Sequence, residues 1–217
     1  MKAKSSSKFI IYPHLIFKSK KEKLSVRELF FPTLLLKTIF RPASALVALV
    51  QPMSKLLALD QASHTTGYTI LDGNQIIKVG HFECVGADLG DRLVQLRNNI
   101  GKLIKEYNID EVVFEDIQLQ DVNGNKETGI KTFKILAEVY GVVYEYLTEI
   151  GIKNSSVLPI KWKAHFKIAG KGRAQEKKMS KAYVEKTYGI DCTEDEADSL
   201  CIAMWYRQST NIFDWSE

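Results

Sequence analysis

Four carboxylates stand where a folded chain can put them to work: Asp60, Glu115, Asp195 and Asp198. Asp60 closes a short apolar run, Leu56-Leu57-Ala58-Leu59, that reads as a buried strand. Glu115, followed by Asp116, closes a second such run, Val112-Val113-Phe114. An unpaired carboxylate is costly to bury, so an acid at the mouth of a buried strand needs a donor, a cation or a metal. Ligands of open α/β sheets bind beyond the carboxyl ends of adjacent parallel strands, so if these two strands are neighbours their acids meet at one edge. Asp195 and Asp198, spaced i and i+3, share one helix face. Thr193 and Glu196 have capping-box spacing, and acids in a first helical turn offset the helix dipole, which accounts for Glu194 and Glu196. It does not account for Asp198, which precedes the apolar run Leu200 to Trp205 and so points to a rim or to a compensating cation.

Carboxylates gathered in one pocket repel each other. A pair about 4 Å apart costs roughly 4 kcal/mol at an effective dielectric near 20, so without a cation some would hold protons. Oxygen-only donors select hard ions, Mg²⁺ with Mn²⁺ as a substitute, and two divalent ions neutralise four carboxylates. Two such ions form a clamp for phosphoryl displacement, one activating water and the other stabilising the leaving oxygen. The chemistry expected of these residues is therefore metal-assisted phosphodiester hydrolysis, with Asp60, Glu115, Asp195 and Asp198 as both ligands and catalytic groups.

The elements that must position them follow from residue periodicity. Strands are expected over about 55–60, 67–72 and 75–83, with Ser63 to Gly67 as turn formers and a hairpin through Asp72-Gly73-Asn74. Leu89, Leu93, Leu96, Ile100, Leu103 and Tyr107 recur at helical spacing, and the strand ending in Glu115 follows. A polar loop, 118–127, leads into a long helix over about 128–149, with Ile130, Phe133, Ala137, Tyr140, Tyr144 and Leu147 on one face. Ile135, Val139, Val142, Val143 and Tyr146 lie outside that stripe, so the helix is either wholly buried or makes a dimer contact. A strand at 155–158, a Lys-rich helical stretch at 161–186 broken by Gly170-Lys171-Gly172, and a helix over 194–208 complete the chain. The expected fold is α/β: a mixed five-stranded sheet flanked by helices.

Composition narrows the classes further. Three cysteines and no CxxC argue against a disulfide framework and fit a reducing compartment, and the four histidines lack zinc-ligand spacing. The net charge of +4 hides an asymmetry. Residues 1–52 carry ten Lys/Arg against two acids, so 53–217 is acidic overall, with 20 basic and 24 acidic residues. Within that acidic part, 161–186 holds nine Lys/Arg against two acids, which makes it a local phosphate-binding candidate. Gly170 and Gly172 would let backbone N–H groups approach a phosphate.

Taken together, LALDQASHTTGYTIL, VVFEDIQ and DEADSLCIA resemble, in order and spacing, the RuvC-like Holliday junction resolvases of the RNase H-like superfamily, the phage-type branch most. The resemblance spans about 53–208. It implies an RNase H-like sheet and a Mg²⁺-dependent crossover junction endodeoxyribonuclease that acts as a homodimer. Such enzymes make paired nicks in four-way DNA junctions, leaving 5′-phosphate and 3′-hydroxyl ends, in recombination, repair or phage DNA processing. It also implies a bacterial or phage-infected cytoplasm and no membrane association. By the same resemblance Asp60 and Glu115 match the first two metal-binding acids, and Asp195 and Asp198 the paired aspartates of the last helix. Lys163 and Lys177 match lysines near the scissile phosphate, and Lys177 would stabilise developing phosphorane charge. Lys171 and Arg173 are further DNA-contact candidates, and Gln118 and Leu119 are candidates to stack on or wedge into an opened base pair. Where the familiar bacterial pattern has Pro-Gly after the first Asp, this chain has Gln61-Ala62.

Two other readings compete. Actin-like ATPases also open with a strand, an Asp and a Gly/Thr-rich turn, but they need a second phosphate loop and a Gly-rich adenosine segment that this chain lacks. A protein that holds branched DNA without cutting it would not need all four acids. Residues 1–52 differ in character from the rest and are expected to be an arm or sequence upstream of a start at Met53, a basic transit-like segment being the alternative. Mass spectrometry of the native N-terminus is expected to find Met53 first, and peptides from residues 1–52 would show the opposite.

Overall fold

The computed structural model describes the backbone of residues 54–118 and 126–213, and the side chains of 54–118 and 128–210. The expectations for residues 1–52 and Met53, and for Leu119, lie outside the described residues. Five strands, β1 (Lys55–Asp60), β2 (Thr65–Asp72), β3 (Gln75–Glu83), β4 (Glu111–Glu115) and β5 (Lys153–Val157), form one sheet in the order β3-β2-β1-β4-β5. The β1–β2–β3 meander is antiparallel, while β1–β4 and β4–β5 are parallel. The described helices are α1 (Leu89–Tyr107), α2 (Lys126–Glu149), α3 (Pro159–His165), α4 (Arg173–Tyr188) and α5 (Glu194–Phe213). The expected mixed five-stranded α/β sheet is therefore present, and the basic stretch is broken at 170–172 as its glycines indicate.

Side chains alternate across the strands, and the alternation splits the core in two. Leu56, Ala58 and Val113 pack with Trp162, Val184 and the buried side of α5. Leu57, Leu59, Val112 and Phe114 pack on the other face with α1 and α2. Asp88 caps α1 by accepting from the Asp91 N–H at 2.9 Å, and Asn108 ends it in the left-handed region at φ 52°. Both ends of that helix are therefore chemically defined.

Two expectations need correction. The inward face of α2 is only partly the expected Ile130–Leu147 stripe: Leu147 and Tyr140 of it pack on the core, joined by Val139 and Val143 from outside it. Val139, Val143 and Leu147 are buried, whereas Ile130 and Tyr144 are 63% and 51% exposed. The helix is apolar around much of its surface, and the sheet takes a face between the two sets, where Val139, Val143 and Leu147 pack in one cluster with Leu57 and Phe114.

Ser63 to Gly67 are not all turn residues either: β2 already begins at Thr65, and Gly67 lies within it, paired with Asp60. Gly67 is there because α5 lies on top of it. A Cβ at this position would stand 2.0 Å from the backbone oxygen of Asp195 and 2.4 Å from its carbonyl carbon. The absence of a side chain on the strand next to Asp60 lets the first turn of α5 come down onto the sheet. Behind it, the buried Thr69 and Ser199 hydroxyls lock helix to strand at 2.8 Å. Gly67→Ala is expected to displace the start of α5 and lower stability by about 1–3 kcal/mol, the usual cost of overpacking. Thermal denaturation checks this, and an unchanged midpoint would mean that the helix start yields freely.

Candidate active site

The pairing of β1 with β4 runs from Leu56 opposite Glu111 to Leu59 opposite Phe114, so Asp60 and Glu115 come next on adjacent parallel strands. Strand alternation sends both toward the face that carries α5, since Asp60 follows Leu56 and Ala58, and Glu115 follows Val113. On that helix Asp198, 6% exposed, turns toward the same place. Asp60, Glu115 and Asp198 line one cavity of about 550 Å³ with Lys163, Arg173 and Lys177 on its other walls.

Burial sets the electrostatics. Asp60 is 8% exposed, and loss of water raises its pKa; Asp195 pushes the same way, against the cations of Lys177, Arg173 and Lys163. Glu115 is pushed up to about 8, first by burial and then by Asp60, with Lys163 and a Trp162 hydrogen bond only partly offsetting this. Asp198 is pushed up to about 7 by burial and by Asp60, against a Ser180 hydrogen bond and Lys177. Burial pulls the Lys177 ammonium down, but Asp60, Asp195 and Asp198 more than reverse this and its pKa is raised. Three carboxylates with raised pKa values in one cavity amount to an unmet demand for positive charge.

The other sequence-selected residues are placed less uniformly. Asp195 stands at the margin, where its carboxylate is ion-paired with Lys177. Lys163 reaches Glu176 at 3.0 Å and lies over the Trp162 ring. Arg173 opens α4 after Gly172, whose φ of 107° requires a glycine. Gln118 lines the cavity mouth. Lys171 is exposed and outside the cavity lining, and its N–H is taken by the Gln175 side chain at 2.8 Å instead of facing an open anion site. Glu194 and Glu196 stay at the helix start. Glu196 closes the capping box with Thr193, at 2.7 and 3.3 Å, and reaches His81 at 2.8 Å.

Several partners escaped the sequence reading. Trp162, fully buried, donates its indole N–H to Glu115 at 3.0 Å. Glu176 holds Lys163, and Ser180, whose hydroxyl donates to the Lys177 carbonyl at 2.9 Å, lies beside Asp198. Gln61, 8% exposed, bonds the Glu115 backbone. Only Trp162 carried a signal, as a large aromatic immediately before a lysine already selected.

What the cavity can do follows from its donors. Among the described residues no three His, Cys, Asp or Glu side chains form a ready-made metal cluster. An ammonium holds Asp195, and an indole N–H holds Glu115. The chemistry of the donor set nevertheless fits hard divalent cations: oxygen ligands only, buried, repelling one another and short of positive charge.

No protein-family model matches the chain, and no curated protein matches it in sequence. Solved structures do match it. Thermus thermophilus RuvC in complex with a Holliday junction substrate is 12% identical, with a TM-score of 0.56 over 73% of this chain and 96% of that one. A second T. thermophilus RuvC structure is 13% identical, with a TM-score of 0.53 over the same shares of the two chains. At such low identity the likeness concerns the fold, and it agrees with the resemblance carried by the sequence motifs: the chain has the RuvC-like, RNase H-like fold.

Proposed function

We propose that this protein is a Mg²⁺-dependent, structure-selective endonuclease that cuts four-way DNA junctions. The observation that carries the reading is the convergence of Asp60, Glu115 and Asp198, from three separate elements, in one cavity on a RuvC-type sheet. One structure of similar fold is a RuvC in complex with a Holliday junction substrate, which makes branched DNA the substrate class to test first.

Asp60, Glu115 and Asp198 would hold the divalent ions, with Asp195 joining them once Lys177 releases it. The ions, when bound, supply a nucleophilic water and stabilise the leaving oxygen. The residues of the chain do the rest. Lys177 and Lys163 stand at the rim, where a phosphate that displaced their present carboxylate partners would be met by two ammonium groups. Arg173 and the exposed lysines 161, 167, 178 and 186 add salt-dependent affinity for flanking phosphates. Gln118, at the mouth, would touch the junction centre. Paired nicks need two such cavities, and the apolar side chains that α2 leaves exposed (Ile130, Ile135 and Tyr144) suit a contact between two copies.

A second reading, junction binding without cutting, is favoured by one contact: the Lys177–Asp195 pair, which keeps one acid out of the cavity. The two separate on a synthetic four-way junction. With Mg²⁺ the native protein is expected to cut opposing strands, and Asp60→Asn to lose about 4 kcal/mol of transition-state stabilisation, roughly a thousandfold in rate. Full cutting by the variant would remove Asp60 from the chemistry. Binding in Ca²⁺ with no product in Mg²⁺ or Mn²⁺ would favour the second reading.

The shifted carboxyls also predict a pH effect on the metal-free protein. Glu115 and Asp198 keep protons in the folded state up to about 8 and 7, above their ordinary values of 4.5 and 3.8. Over that window the native state binds more protons than the unfolded one, so stability falls as pH rises. In EDTA the melting temperature is expected to drop between about pH 5 and 8, and Mg²⁺ is expected to flatten the profile, since ions replace the protons. A metal-free profile that is level or rising would contradict the assignment.

A further inference from the structure

The end of β1 is finished by a side chain. β1 stops at Asp60, and the chain then turns away through Ala62 and Ser63, so no backbone remains to pair with Glu115 on that side. Gln61 fills the gap. Its Oε1 accepts the Glu115 N–H at 3.0 Å, and its Nε2 donates to the Glu115 carbonyl at 2.5 Å. The primary amide, one acceptor and one donor side by side, copies the edge of a peptide unit and adds one more rung to the parallel ladder.

On its other side Glu115 is paired with Val157, whose carbonyl also accepts from the Asp116 N–H at 2.8 Å. The Glu115 backbone is thus held from both flanks, and its carboxylate is held by Trp162 at 3.0 Å. Gln61 is covalently next to Asp60. One residue therefore joins the two acids: the peptide bond fixes it to Asp60, and the amide fixes it to Glu115.

We propose that Gln61 is a positioning residue that sets the spacing between Asp60 and Glu115 and so tunes the affinity of the cavity for divalent ions. The role rests on the metal-ion reading above. Gln61 touches no reacting atom in this scheme; it acts through the backbone of Glu115. An amide without the right reach fails at this job: Asn is one methylene short, and Glu keeps an acceptor but loses the Nε2 donor. Such partners behind the ligands typically change metal affinity by about 10–100-fold.

The test uses the full chain and three variants, Gln61→Ala, Gln61→Met and Gln61→Asn, with Mn²⁺ as the probe ion. The first readout needs neither metal nor DNA. Hydrogen exchange of the Glu115 amide, followed by NMR, is expected to speed up about tenfold or more in every variant, while amides of the β2–β3 hairpin keep their native rates. The second readout is calorimetric Mn²⁺ titration, in which affinity is expected to fall about tenfold or more. Native exchange at Glu115 with native Mn²⁺ affinity would overturn the proposal. So would faster exchange spread evenly over the sheet, which would make Gln61 a stability residue only. Gln61→Met, matched in length, guards against a variant that merely fails to fold. If the unsubstituted protein binds Mn²⁺ in a manner abolished by Asp60→Asn yet cuts no junction, the substrate assignment fails and the positioning role stands. If the unsubstituted protein binds no Mn²⁺, the metal reading falls and takes this role with it.

Discussion

Like charges brought together in a poorly solvated cavity are the condition on which the rest of this structure turns. Each of Asp60, Glu115 and Asp198 loses water on folding, and each makes the others harder to ionise. A chain does not arrange this by accident of packing. It requires β1 and β4 to be parallel neighbours in one particular register, because a slip of one residue would turn either acid to the opposite face. It requires α5 to lie close over the sheet, and Gly67 clears the space for that beside Asp60. The Thr69–Ser199 hydroxyl pair and the apolar body of α5 then supply the binding that offsets the repulsion.

The same strand offers an internal contrast. Glu111 opens β4 and Glu115 closes it, four residues apart and on one face, in the segment EVVFE. Glu111 is 3% exposed, yet its charge is answered: Lys153 stands at 2.8 Å, the Tyr206 hydroxyl donates at 2.5 Å, and Arg207 lies at 3.7 Å. That acid ties β4, β5 and the far part of α5 together and has nothing left to bind. Glu115 receives one indole N–H, and its nearest ammonium, Lys163, is engaged by Glu176. Burial alone would give the two glutamates the same standing. The count of fixed cations around each separates a structural acid from one that still has capacity for an ion.

Much of this was legible in the amino-acid sequence because it rests on periodicity. An apolar run ending in an acid marks a strand mouth, and two such runs bring their acids together if the strands are parallel neighbours, as β1 and β4 are. The i, i+3 aspartates and the Thr193–Glu196 box likewise follow from helix geometry alone. What escaped notice depends on contacts that have no period. Gly67 looks like a turn residue in a row of turn residues, and only the helix packed above it explains its place. The apolar side chains of α2 run around much of the helix, so which of them face inward waited on the shape of the sheet face. An amide acting as a stand-in for backbone, as Gln61 does, leaves no pattern: it appeared first as a departure from Pro-Gly, and only the register of β1 against β4 gives it a purpose. Lys171 lies outside the cavity lining for the converse reason, since membership in a basic run says nothing about which lysine faces inward.

The placement of the basic residues bears on how an anionic substrate and cations would enter together. A phosphate approaching the bare cavity meets Asp60, Glu115 and Asp198 at close range, and the nearest lysines are already engaged, Lys177 by Asp195 and Lys163 by Glu176. Divalent ions would change both terms at once. They would neutralise the acids, and by drawing Asp195 inward they would free the Lys177 ammonium to face the phosphate. Ion and phosphate would then each raise the affinity for the other by the same factor, as linkage requires of two ligands that favour one arrangement. The ion pairs that hold the lysines would then be part of the site itself, keeping cationic groups within reach of the cavity until an ion released them.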